Sequence, residues 1–404
     1  MTERGRLVAA LAAATYLAAW AFGTRALFPA GLGLALAVGL AWSWVRLQSR
    51  PITLRRSLGP AEPLEGDDVP VVLEATLKPP APRSLRVVDV IDRLGEQHVT
   101  LGHHGNALLG RYDLRAVPRG RYGFAGARAV FEDPFGLFRA ESEAGGVGTL
   151  LVYPRLVELE RLFSEAGGAA QEGGSLLLRR MSGFDLHSVR DYQEGESLRK
   201  VHWRTTARRG RLMVKELEDA PHDEVAVLLD AGARTVIGAA PDSTFELQVR
   251  AAGSIVRVHA LRGRRALLAA TTAPPEYRRV TSFDGEWQLA RELLAAVEPN
   301  GTEGVEAFLA RDSSPAAQAT ELVVVTAALR PRLADSLLQR AHAHRPASLV
   351  LVDGGSFREE PSEPLREPLL LRLQMSGVPV VVLRRGDDLK VKLGALQESV
   401  AAHG

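Results

Sequence analysis

Two uninterrupted apolar runs close to the N-terminus constrain this chain more than anything else in it. Residues 7–23 read LVAALAAATYLAAWAFG and residues 26–45 read ALFPAGLGLALAVGLAWSWV, neither containing a charge, with only Thr24 and Arg25 between them. A helix needs roughly 20 apolar residues to cross the hydrocarbon, and about 17 as a minimum, so both runs are of spanning length. A break this short, helped by Gly23 and Pro29, suits a helical hairpin, because an unpaired backbone is tolerated only where the chain leaves the lipid. Trp20, Trp42 and Trp44 are expected near the interfaces. Arg4 and Arg6 precede the first run and Arg46, Arg50, Arg55 and Arg56 follow the second, whereas Arg25 is alone in the turn. That asymmetry predicts a multi-pass anchor with both ends in the cytoplasm and the bilayer as a partner. The competing reading is a cleaved signal peptide, which a second apolar segment arriving at once does not require.

At 404 residues the chain exceeds what one core usually serves, so several domains are expected. Residues 1–48 form the predicted transmembrane hairpin. Residues 49–160 carry short alternating runs punctuated by Gly and Pro, such as VPVVLEATL and LRVVDVIDRL, which predict an antiparallel, β-sandwich-like module. Within it, Asp133-Pro134-Phe135-Gly136-Leu137-Phe138 reads as a turn with both aromatics folded inward. Residues 161–222 hold a small, polar linker (SEAGGAAQEGGS) and then a basic motif. Residues 223–400 alternate strand-like and helix-like runs, VAVLL, LVVVT, SLVLV and VPVVVLR among the strands, predicting a doubly wound α/β module. The absence of cysteine excludes disulfides, thiolate zinc sites and a Cys nucleophile.

The basic motif runs from Arg190 through Tyr192, Gly195, Glu196, Arg199, Trp203 and Arg204 to Arg208. In order and spacing it resembles the signature of a bacterial family known as domain of unknown function 58. The Arg119 to Tyr122 step, the Asp-Pro-Phe-Gly-Leu segment and Val152-Tyr153-Pro154 extend the resemblance. Two positions depart from the pattern: Glu196 replaces the usual Asp, and His202 stands where an acid or amide is common. The resemblance implies a von Willebrand factor A-like module after the motif, residence in the bacterial inner membrane and a MoxR-type AAA+ ATPase as partner.

Residues 199–215 contain seven Lys or Arg and no acid, with acids on both flanks. Arginines in such a setting bind carboxylates in bidentate fashion or stack on aromatic rings, here Trp203 or Tyr192. An ion-paired latch between modules is one reading. Docking of an acidic partner on Arg208, Arg209 and Arg211 is another, and an anionic-lipid patch a third. With a net charge of only +2, nucleic acid has little support.

A strand of the α/β module ends at Asp230, where ligands of such folds gather. The metal site implied by the family resemblance needs Asp-x-Ser-x-Ser, but this chain has Asp230-Ala231-Gly232-Ala233-Arg234, with Ala327 and Ala328 after a later strand. One carboxylate cannot satisfy the oxygen shell of Mg2+, so no metal and no cofactor is expected at this degenerate site. Asp230 is expected to pair with Arg234 or cap the following turn. No phosphate-binding loop, nucleophile elbow or zinc-protease motif occurs, so the expectation is a membrane-tethered adaptor or assembly factor rather than an enzyme. An enzyme acting on envelope precursors is the alternative.

Overall fold

The structure is a computed structural model that describes residues 1–49, 52–76, 84–105, 107–165, 186–191, 206–208, 210–217, 224–311, 313–358 and 367–394. The chain divides into two compact units, Met1–Tyr153 and Pro154–Gly404.

In the first unit, α1 (Glu3–Phe22) and α2 (Leu27–Gln48) form an antiparallel pair joined at Gly23, whose positive φ of 61° closes α1. Both are long and apolar enough to cross a membrane by length and composition. Large apolar side chains point outward along them, Leu17, Trp20, Leu36 and Leu40 among these. Small residues occupy the buried positions, Ala12 and Ala19 on α1 and Gly31 and Ala41 on α2. A Cβ on Gly31 would come within 3.1 Å of the Tyr16 backbone nitrogen. Outward-facing apolar residues over a small-residue seam are the inverse of a water-soluble helix pair, and they are how helices pack in lipid.

Eight antiparallel strands follow: β1 (Thr53–Leu58), β2 (Val69–Thr76), β3 (Ser84–Ile91), β4 (Gly95–His104), β5 (Ala107–Leu114), β6 (Gly120–Glu132), β7 (Arg139–Gly145) and β8 (Gly148–Val152). They are hydrogen-bonded in the order β1-β2-β5-β4-β3-β6-β7, with β8 also on β6. The strands thus form one hydrogen-bonded path that folds back over a single core, bringing Arg56 of β1 onto Asp89 of β3, four places along the order. β6 pairs with β8 through its first half and with β7 through its second. Alternation drives the burial: Val69, Val71, Leu73 and Ala75 of β2 all enter the core while their neighbours face out. Val45 of α2 joins the same core, so the hairpin and the sheet share apolar contacts.

The turn at Asp133 departs from expectation in one residue. Buried Asp133 accepts from Phe135 N at 2.9 Å and Phe138 N at 2.6 Å, and Gly136 adopts a φ of 68°. Phe138 packs against the core as predicted, but Phe135 points away from it and is 72% exposed. The turn that satisfies Asp133 thus leaves Phe135 outside the core and admits Phe138.

The second unit opens with residues 154–165, whose Leu159, Leu162 and Phe163 are buried in the α/β core. A two-stranded antiparallel ribbon, β9 (Leu186–Asp191) and β10 (Met213–Leu217), comes next. The main sheet begins at β11 (Val225–Leu229). After the short ribbon β12 (Gly238–Ala239) and β13 (Asp242–Ser243) come α3 (Thr244–Leu261), β14 (Ala266–Ala270), β15 (Glu276–Val280), α4 (Phe283–Ala296), α5 (Val305–Leu309) and α6 (Pro315–Gln318). Then follow β16 (Glu321–Thr326), α7 (Pro331–His342), β17 (Ala347–Val352), α8 (Glu367–Met375), β18 (Val380–Leu383) and α9 (Leu389–Gly394). The sheet order is β15-β14-β11-β16-β17-β18, parallel except for β15. Every residue of β11 is buried: Val225, Val227 and Leu229 meet α3 and α4, while Ala226 and Leu228 lie in the opposite core with α7 and α8. Apolar cores on both faces explain why the strands read as continuous apolar runs. The strand β15 was not anticipated. Of this edge strand, EYRRV, Val280 alone is fully buried, so it carries no apolar run.

Candidate functional site

Asp230 follows β11 and Thr326 ends β16, and the register pairs Leu229 with Val325, so the two polar residues stand side by side at the carboxyl edge of neighbouring strands. Asp230 is 3% exposed. Its Oδ2 accepts from Thr326 Oγ1 at 2.6 Å and its Oδ1 from Gly232 N at 2.9 Å. The Ala328 amide in turn donates to Thr326 Oγ1 at 3.0 Å. Burial raises the Asp230 carboxyl above its ordinary value, opposed by the bonds from Thr326 and Gly232 and by the charge of Arg330. The carboxylate thus caps the turn that follows it; its partners among the described residues are Thr326 and Gly232 rather than Arg234.

A second loop closes over this edge. Gly301 N donates to Ala231 O at 2.8 Å, and Ala233 N donates to Gly301 O at 3.1 Å. A Cβ at Gly301 would stand 2.1 Å from Thr271 O, so only glycine permits the approach. The cleft between the loops is lined by Asp230, Arg234, Thr235, Thr302, Glu306 and Arg330, with others, and encloses about 80 Å3. That space suits a few waters or the tip of one side chain, not a nucleotide. Arg330 Nη1 binds Glu306 Oε1 at 2.9 Å. Burial works against the Glu306 charge, but the Arg330 bond, a backbone bond and the charges of Arg330 and Arg332 together hold this carboxyl below its ordinary range. Among the described residues, no three His, Asp or Glu converge as metal ligands do. With both Asp230 oxygens engaged and an exposed Arg234 on the rim, the donor set fits a polar or acidic side chain better than a hard cation.

The basic motif is only partly in view. Tyr192, Gly195, Glu196, Arg199, Trp203, Arg204 and Arg209 lie outside the described residues, as does most of the preceding linker. Arg190 occupies β9, where its backbone pairs with Val214. Arg208 ends a helical turn whose Thr206 Oγ1 accepts from Met213 N at 3.0 Å, and Arg208 and Arg211 are exposed. Neither lines the Asp230 cleft. Thr326, Gly301 and the Glu306–Arg330 pair were not anticipated. The signal for Gly301 was present as Gly301-Thr302-Glu303-Gly304, a polar glycine pair interrupting a helical region.

The first unit contains a buried acid of another kind. Asp89 of β3 is fully buried and receives Arg56 Nε at 3.1 Å, a second Arg56 bond from Nη2, and Tyr112 Oη at 2.6 Å. Arg56 also donates to Gly146 O and lies 4.0 Å from the centre of the Phe124 ring. Burial, followed by the Asp89 bond, raises the Tyr112 hydroxyl well above its ordinary value. Arg56, expected as a surface charge flanking the membrane, is instead a core residue with a side chain only 6% exposed. Its charge is matched by an acid 33 residues away, a pairing that local sequence cannot reveal.

Comparison with known proteins agrees with the signature. Residues 188–355 match the family model described as "Protein of unknown function DUF58". The "Uncharacterized protein YeaD" of Bacillus subtilis (strain 168) is 25% identical over 219 residues, which is 54% of this chain and 53% of that protein. The chain thus spans about half the length of the curated relative it matches. Among solved structures, Cwp6 from Clostridium difficile aligns over 84% of this chain and 38% of its own, at 8% identity and a TM-score of 0.20. Superposition at that level carries no argument.

Proposed function

We propose, for a chain whose residues 188–355 carry the DUF58 domain, a membrane-tethered adaptor that recruits a protein partner through the carboxyl edge of its α/β module. On this reading α1 and α2 are inner-membrane spans, the body lies in the cytoplasm, and the module is von Willebrand factor A-like. The partner is a MoxR-type AAA+ ATPase. The observation that carries the proposal is the Asp230 cleft: its acid is capped by Thr326 and Gly232, while Arg234 on its rim faces solvent. Glu303 and Glu306 also line the cleft, but each is ion-paired with an arginine, Arg311 and Arg330, which leaves the exposed Arg234 to meet an acidic side chain. Sheet order supports the module's kinship, since five parallel strands with one antiparallel edge strand bring that cleft to the switch point of the sheet, where β11 is flanked by β14 and β16.

The test uses the absence of natural cysteine. Arg234→Cys in the full chain, carrying a photoreactive label, is expected to crosslink the MoxR-type ATPase of the same organism in solubilised membranes. A label at exposed Val391, away from the cleft, should give on the order of tenfold less product. Equal crosslinking from both positions, or none from 234, overturns the proposal.

A further inference from the structure

We infer that the Asp133–Phe138 turn is an interfacial membrane anchor, with Phe135 embedded at the headgroup level beside the start of α1. This rests on the reading of α1 and α2 as membrane spans. The turn is bound directly to the end of the first helix: Thr2 N donates to Leu137 O at 2.9 Å, and Thr2 Oγ1 donates to Gly136 O at 2.7 Å. Thr2 is also the N-cap of α1, accepting from Gly5 N at 3.1 Å. One side chain therefore caps the helix and fastens the turn to it. Gly5 brings the two still closer, since a Cβ there would lie 2.2 Å from Leu137 O. The turn sits at the level of residues 2–5, which is the level at which a span beginning at Leu7 emerges from hydrocarbon.

At that level the turn presents Phe135 to the outside, 72% exposed, between exposed Pro134 and half-buried Gly136. The fold spends Asp133 to hold this conformation, since both its carboxylate oxygens accept turn amides. Buried Leu137 and core-facing Phe138 then fix the turn from below. An aromatic held rigidly at the mouth of a span meets a medium suited to it, apolar acyl chains beneath and polar headgroups above. Arg4, Arg6 and Arg46 lie at the same end of the hairpin, where they meet anionic headgroups. The sheet would then be held against the bilayer at two places, at the ends of the helices and at the turn, instead of pivoting on the helices alone.

Three single-cysteine chains test this, made possible by the lack of natural cysteine. Leu17→Cys reports the span, Phe135→Cys the turn and Val147→Cys the far end of β7, roughly 20 Å from the turn along the strand. All three positions are exposed, so a label fits each without disturbing the core. The full chains, labelled with a polarity-sensitive dye, are reconstituted in phosphatidylcholine and phosphatidylglycerol vesicles with or without acyl-chain nitroxide lipids. The expected result is strong quenching at 17, and quenching at 135 on the order of threefold greater than at 147, with a blue-shifted emission. Quenching at 17 with position 135 behaving like 147 overturns the anchor while leaving the spans standing. No quenching at 17 overturns the membrane reading itself, and the anchor with it.

Discussion

Both units of this protein bury aspartates, and Asp89 in one and Asp230 in the other are handled in opposite ways. Asp89 in the β-rich unit receives a guanidinium and a phenol, whereas Asp230 in the α/β unit receives a hydroxyl and a backbone amide. A buried charge paired with a countercharge is a fixture, because removing either partner strands the other in low dielectric. Asp230 is bonded to neutral groups, and burial raises its carboxyl against the bonds from Thr326 and Gly232. The first arrangement ties β1 to β3 and β5 across the sheet. The second sits at the open edge of a sheet beside a cleft, where ligands of this architecture bind. The same residue type thus serves as a rivet in one unit and as the floor of a small cleft in the other.

Breaking the rivet has the largest expected effect. Arg56→Ala leaves Asp89 charged and buried and is expected to destabilise the β-rich unit by about 3 to 5 kcal/mol, read from thermal or urea unfolding of the full chain in detergent. A double Arg56→Leu, Asp89→Leu chain should recover most of the loss, and no recovery would show that the geometry of the pair, not its charge, holds the sheet. Gly301→Ala comes next. Its new methyl meets Thr271 O, so a loss of about 1 to 3 kcal/mol with a displaced 300–305 loop is expected, and a wild-type melting curve would contradict the close approach. Thr326→Val keeps the shape and removes the hydroxyl, which should cost about 1 to 2 kcal/mol and raise the Asp230 carboxyl further.

The smallest effects depend on pH and set a buried acid, Asp230, against a buried base, His259. Asp230 titrates higher in the folded chain than its ordinary value of 3.8, so its contribution to stability is complete below that value and declines as pH rises through the folded value. The stability of wild type relative to Asp230→Asn should therefore be greatest in acid and shrink toward neutral pH. Buried His259 gives the opposite slope. Burial, with Arg264 and Arg262 nearby, lowers it to about 3, so its contribution is present above the ordinary value of 6.5 and is lost as pH falls toward 3. His259→Phe should abolish that acid-side loss, and an unchanged pH profile would mean that the imidazole is solvated.

Most of the secondary structure was legible from local pattern. The uncharged runs at 7–23 and 26–45 lie within α1 and α2 or at their joint, and VAVLL, LVVVT and SLVLV all fall inside strands buried on both faces. Periodicity and length are local quantities, set by how one segment divides between core and surroundings. The basic motif was legible as a family mark, and the match over residues 188–355 agrees with it. What the linear order could not contain is which distant residues complete one another. Arg56 reads as a flanking cation until strand pairing places it on Asp89, and Thr326 is an ordinary strand end until the parallel register sets it 2.6 Å from an acid 96 positions earlier. Phe135 looks like one more core aromatic until the turn that satisfies Asp133 aims it outward beside Thr2. Local sequence thus determined the hairpin, the strands, the helices and the family resemblance of the central segment. Only the tertiary structure decided which charges are buried, which carboxyl burial raises and which aromatic is left to the surroundings, because those outcomes depend on register and chain closure between segments far apart in sequence.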